Sequence, residues 1–191
     1  MKRILPVLAV LAVLMTAGDA LAQAAASAPA APKPAAELAQ LKFFIGNWTC
    51  KGQAEASPWG AAHPTTAKVH IASEVKGFWL LGSYVEDKSA TNPMPVHIAF
   101  TWGWDSKDKL LDAFSFDNFG GWQKAESKGW EGDKLVFAGE TVTGGKSMAS
   151  RDSFTKKGDN QVTHMFEMQM DGKWMKLDEE TCTKAGGAAK K

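Results

Sequence analysis

The residues able to do chemistry are few and dispersed. Four His stand at positions 63, 70, 97 and 164, each on a different predicted segment and without the close pairing that metal sites show. A zinc site would need three of them to converge with nothing local to arrange it, so no metal is expected. His63 lies in a Pro/Ala-rich connection and reads as solvated. His164 differs, because alternation puts it on one face with Phe166, Met168 and Met170, while Thr163, Glu167 and Gln169 take the other and Met165 is the exception. An interior His of this kind is satisfied by a carbonyl or a water, or serves as a proton donor. Gly-x-Ser-x-Gly is absent and no Ser or Cys has a local His partner, so no catalytic residue is assigned. Asp112 with Asp117, and Glu179 with Glu180, are carboxylate pairs of the sort that turns and solvated strand faces supply routinely. Arg151, the only Arg beyond position 3, offers a planar fork for a ligand carboxylate. Alternation turns it away from Met148 and Phe154, which favours an outer ion pair with Glu140 or another acid on a neighbouring strand.

The aromatic set is unusual: eight Trp and ten Phe against a single Tyr, Tyr84. Trp102 and Trp104 share a strand face with Ile98 and Phe100, where core packing is the first reading and a ligand platform the second. Stacked aromatics also suit nucleic acid, but 22 Lys+Arg against 21 Asp+Glu give a net charge of +1, and removing Lys2, Arg3 and Asp19 with a leader brings it to 0. No field for a polyphosphate follows from that balance.

The elements that must position these residues begin after a leader. Met1-Lys2-Arg3 is a basic start, Ile4 to Ala17 is an apolar run, and Ala20-Leu21-Ala22 forms an A-x-A cleavage site before Gln23. The run is shorter than the ~20 residues of a spanning helix, so 1–22 reads as a signal peptide and the product as an exported, soluble protein, periplasmic in a Gram-negative source and secreted otherwise. Residues 23–35 are almost all Ala, Pro, Ser and Lys and read as a disordered linker; 185–191 read as a flexible tail. One domain is expected over 36–184.

Within it, Ala36 to Lys42 predicts a short N-terminal helix of one or two turns. The rest predicts about ten strands, at 43–54, 66–76, 78–86, 95–105, 109–117, 121–130, 134–142, 146–155, 161–170 and 173–183, joined by short turns. Short turns force antiparallel neighbours, and closure removes exposed edges, so the fold class is all-β, a closed antiparallel up-and-down barrel. Lys124, Glu126 and Lys128, and likewise Lys176, Asp178 and Glu180, are assigned to the outer face, which speaks against an outer-membrane barrel and its apolar outer band.

Closure would bring the first strand beside the last, and Cys50 and Cys182 are expected to form a disulfide there, in an oxidising compartment. Parity works against it. Cys50 shares a face with Trp48 and Gly52, whereas Cys182 alternates with the outward Asp178 and Glu180, so a bulge between Asp178 and Cys182 is required.

The run Phe43-Phe44-Ile45-Gly46-Asn47-Trp48 resembles the G-x-W opening of the calycin superfamily. Together with Trp102-Gly103-Trp104-Asp105, Asp117 to Gly121, Gly129-Trp130-Glu131-Gly132-Asp133 and Asp171-Gly172-Lys173-Trp174, it resembles the exported DUF1579 family, similar in layout to lipocalin-like and nitrobindin-like barrels. Gly46 and Trp48 are read as structural: a permissive backbone at the helix–strand junction and a ring that plugs one barrel end. The resemblance implies a cavity for a small hydrophobic or amphipathic molecule, with His164, Phe166, Met168, Trp102, Trp104 and Tyr84 as candidate ligand contacts. It also raises haem ligation by His164, but the haem-binding His of nitrobindin-like barrels lies near the chain end, and Lys176 to Thr183 holds no His. No cofactor, nucleic acid or membrane insertion is expected. The alternatives to a binding protein are an enzyme that uses a few interior polar residues, and a filled barrel whose outside surface works as an interaction module.

Overall fold

Period-two alternation of apolar and polar side chains, broken by turns that require positive φ, builds an almost entirely β molecule. Residues 30–186 are described, in a computed structural model. The expected signal peptide at 1–22, residues 23–29 of the expected linker and 187–191 of the expected tail lie outside them. The chain divides into two units, Met1–Pro32 and Lys33–Lys191, and every element named below belongs to the second. Residues 30–35 carry neither helix nor strand.

A 3-10 helix at Ala36–Phe44 precedes eleven strands. These are β1 (Gly46–Ala54), β2 (His63–Glu74), β3 (Trp79–Glu86), β4 (His97–Asp105), β5 (Leu110–Asp117), β6 (Trp122–Ser127), β7 (Trp130–Glu131), β8 (Lys134–Thr143), β9 (Lys146–Gly158), β10 (Gln161–Met170) and β11 (Lys173–Lys184). Two hairpins show why the turns sit where they do. Gly144-Gly145 and Asp171-Gly172 each place two successive residues at positive φ, the two-residue geometry whose twist matches that of the flanking strands.

All strand pairs are antiparallel and follow chain order, β1 lies beside β11, and β6 pairs with β8 past the two-residue β7. The result is the closed up-and-down barrel expected, with ten strands in the wall and one extra. Several boundaries differ from the expected ones, and two of the differences change what an element is. Phe43 and Phe44 belong to the helix, where their rings pack inward, and the 121–130 segment breaks at Gly129, whose φ of +102° ends β6 and frees Trp130 to pair with β8.

The helix end of the barrel is filled. Leu38, Leu41 and Phe44 are buried there with Trp48, Trp102 and Phe137. Trp48 is 3% exposed and its indole donates to the Phe44 carbonyl at 2.8 Å, while the Trp130 indole donates to the Gln40 carbonyl at 2.9 Å. Two strands thus hold the helix as a plug. Gly46 takes φ +133° at the junction, a conformation L side chains rarely adopt.

Strand parity requires the main correction. On β10 and β11, Glu167 faces Lys176 but Phe166 faces Asp178, so Leu177 is an extra residue, a bulge that reverses the alternation beyond it. Asp178, Glu180 and Cys182 therefore share the inner face, contrary to the outward assignment of Asp178 and Glu180; Lys124, Glu126 and Lys128 are exposed as assigned. The reversal comes before Asp178 rather than between it and Cys182. Cys50 sits directly opposite Cys182 and the two are joined as a disulfide.

Candidate functional site

Above the helix plug the barrel encloses a cavity of about 810 Å³, reaching solvent between Trp59, Met94 and Phe119, which line it and are exposed. That volume suits a drug-sized molecule. Phe44, Trp48, Trp102 and Phe137 form its floor, and Ile98, Phe100, Phe166 and Met168 are among its apolar walls.

One side of the wall is polar, and strand register explains how. Thr65 on β2, Gly52 on β1, Glu180 on β11 and His164 on β10 are successive cross-strand partners in one row. Asp178, Phe166 and Asp152 form the next row across β11, β10 and β9. Gly52 lets β1 and β11 approach closely, since a Cβ there would lie 2.0 Å from the Glu179 carbonyl oxygen.

His164 is the hub. Its Nε2 contacts Asp152 Oδ1 at 2.8 Å, and its Nδ1 lies 3.7 Å from Asp178 Oδ1. Burial works against a charged ring, but the hydrogen bond to Asp152 and the charges of Asp178, Asp152 and Glu180 outweigh it and push the His164 pKa up to about 9. The ring is an imidazolium at neutral pH, stacked on Phe154. Asp178 moves up to about 7: burial is the main cause, the His164 charge opposes it, and Glu180 and Asp152 reinforce it. Gln123 Nε2 donates to Asp152 Oδ2 at 2.7 Å, fixing the far carboxylate oxygen.

Tyr84 donates its hydroxyl to Glu180 Oε1 at 3.0 Å. Burial first, then the charges of Glu180 and Asp178, hold its pKa above the usual phenol value, so it remains a donor. Glu86 is buried at the end of β3, accepting from the Val96 N–H at 3.0 Å with His63 Nε2 3.4 Å away.

Of the residues expected to contact a ligand, His164, Phe166, Met168, Trp102 and Tyr84 line this cavity. Trp104 does not; it packs against the core at the plugged end. His63, read as solvated, opens β2 and lines the cavity mouth, because β2 begins three residues earlier than expected. His70 and His97 lie elsewhere. Arg151 is on the outside, its guanidinium donating to Glu167 with Nη2–Oε1 at 2.8 Å and its fork over the Trp174 ring at 4.2 Å. Asp117 holds the 118–121 turn by accepting from the Phe119 and Gly121 N–H groups. Among the described residues the one three-ligand grouping suited to a metal is Cys50, Glu180 and Cys182, and the disulfide occupies both sulfurs.

Sequence reasoning missed Asp152, Asp178, Glu180, Glu86, Gln123 and Thr65. Asp152 carried a signal, since it is two residues from the inward Phe154. Asp178 and Glu180 carried none, because their facing depends on the bulge at Leu177.

Fold and cavity together define an up-and-down β-barrel with an enclosed, mostly apolar chamber open at one end. The crystal structure of Rv2717c from M. tuberculosis is similar, with a TM-score of 0.62 at 13% identity over 80% of this chain and 99% of that one. At that identity the likeness shows the fold. No family model matches the sequence, and no curated protein matches it.

Proposed function

We propose that this protein binds a small hydrophobic or amphipathic molecule by enclosing it in the barrel. The observation that carries this reading is the chamber itself: about 810 Å³, walled by Trp, Phe, Ile and Met, with polar groups gathered on one side. Apolar ligand surface removed from water there contributes about 25 cal/mol per Å², and the polar wall orients the other end. Titration with the neutral dye Nile red tests it. Saturable binding of one dye per chain is expected, weakened when Ile98→Trp narrows the chamber; dye whose affinity and emission are unchanged in Ile98→Trp would sit on the outer surface and sink the reading.

The convergence of His164, Asp152, Asp178, Glu180 and Tyr84 inside the chamber favours a second reading, an enzyme performing acid–base chemistry. Binding is preferred on physical grounds. His164 is already protonated at neutral pH and faces carboxylates from both ring nitrogens, so it has no free base to offer. Asp178 alone is set near neutrality.

We also propose export and kinship with the DUF1579 family. Support for export comes from the basic start, apolar run and A-x-A site of 1–22, and from a Cys50–Cys182 bond suited to an oxidising space. Motif order supports the kinship. Intact-mass measurement on protein from the exported fraction should find a chain beginning at Gln23, and a chain retaining Met1 would reject the leader.

A further inference from the structure

Resting on the enclosure reading, we propose that the ligand is a cationic amphipath: an apolar body carrying a protonated amine, seated with the amine against Glu180 and Asp178. The charge of the chamber is one-sided. Glu55, Glu86, Asp117, Asp152, Asp178 and Glu180 all line it, and among the described residues no Lys or Arg does, in a chain with 22 of them.

Most of these carboxylates already have partners. Glu55 pairs with Lys176 at 3.3 Å, Asp117 caps its turn, Glu86 has the Val96 N–H and His63, and Asp152 has His164 and Gln123. Glu180 and Asp178 are the remainder. Glu180 is 2% exposed and takes the Tyr84 hydroxyl on Oε1. Asp178 Oδ1 is buried without a hydrogen-bond partner, its nearest cation being His164 Nδ1 at 3.7 Å. A single imidazolium thus serves Asp152, Glu180 and an Asp178 that is only partly ionised at neutral pH, so Glu180 carries most of the uncompensated charge. Negative charge held in a low-dielectric wall favours a cation strongly and opposes a fatty-acid carboxylate by the same amount.

An independent observation comes from Thr65. It lines the chamber one row position from Gly52 and two from Glu180, is 6% exposed, and its Oγ1 has no hydrogen-bond partner. A buried hydroxyl left this way is costly. An ammonium presents three donors, which matches the Glu180 carboxylate, the Asp178 oxygen and the Thr65 hydroxyl as acceptors. An alcohol has one donor to share among them, and a carboxylate has none.

Displacement of Nile red from the full chain by decylamine, decanol and decanoate at neutral pH, equal in chain length and different in head, tests the assignment. Decylamine is expected to bind about tenfold or more tighter than decanol, as a charge-assisted hydrogen bond implies, with decanoate weakest. Glu180→Gln should bring the amine-to-alcohol ratio close to one; if that variant does not fold, Asp178→Asn is read in its place and should lower the same ratio. Equal binding of the three heads, or a preference for decanoate, overturns the cation assignment while leaving enclosure standing. A chain that takes up neither dye nor decanol overturns enclosure and this inference with it.

Discussion

His164 sets the chemistry of the chamber because it is charged where burial alone would keep it neutral. Its pKa is raised from the ordinary 6.5 to about 9, so its contribution to stability is fully present below about pH 6.5 and is lost as pH rises through about 9. Asp178, raised to about 7 from 3.8, acts in the same direction lower down: its contribution is present below 3.8 and lost as pH rises through about 7. The midpoint of urea unfolding should therefore fall between about pH 6.5 and about pH 9, and His164→Gln should flatten that part of the curve. A midpoint constant across the window, or an equal fall in His164→Gln, contradicts the assignment of His164 as a half-buried imidazolium inside the barrel. The position of His164 was legible from its alternation with Phe166 and Met168. Its carboxylate partners were only partly so: Asp152 shares parity with Phe154, but Asp178 and Glu180 follow Lys176 in a pattern that reads outward until the partner strand reveals Leu177 as an extra residue.

At the scale of elements, the junction of the 3-10 helix with β1 decides which barrel end is closed. Phe44 and Trp48 are buried neighbours linked by the indole-to-carbonyl bond, and the Lys184 ammonium donates to the Phe43 carbonyl at 2.9 Å from the far end of β11. Trp48→Ala should cost about 3–5 kcal/mol, the range for removing a large core aromatic, together with loosening of the plug. A loss below about 1 kcal/mol in denaturant melts would mean that the helix does not depend on Trp48. The strands themselves were legible because turn chemistry and alternation agree at nearly every hairpin. What escaped was the break at Gly129 and the early start of β2, both of which depend on contacts remote in sequence: Trp130 reaching Gln40, and His63 reaching Glu86.

For the whole molecule, closure ties the most distant parts of the chain. Cys50 and Cys182 are 132 residues apart and lie on adjacent strands, so the bond between them constrains the unfolded chain across most of the domain. The barrel was legible as a closed sheet from the number of segments and the shortness of their connections. Whether its interior was hollow was not, since the same aromatic-rich segments can interdigitate to fill a barrel or stand back around a chamber. That difference lies in side-chain packing around the ring. Ten strands with the bulky residues concentrated at the plugged end leave the other half open, with acidic groups on its wall.

The central claim is that this chamber takes up an amphipathic molecule, and calorimetric titration at several temperatures tests it most directly. Decanol should bind with one site per chain and with a negative heat-capacity change, the mark of apolar surface leaving water, and Ile98→Trp, which narrows the chamber, should weaken it. An absence of saturable heat, or an unchanged titration in Ile98→Trp, would contradict it.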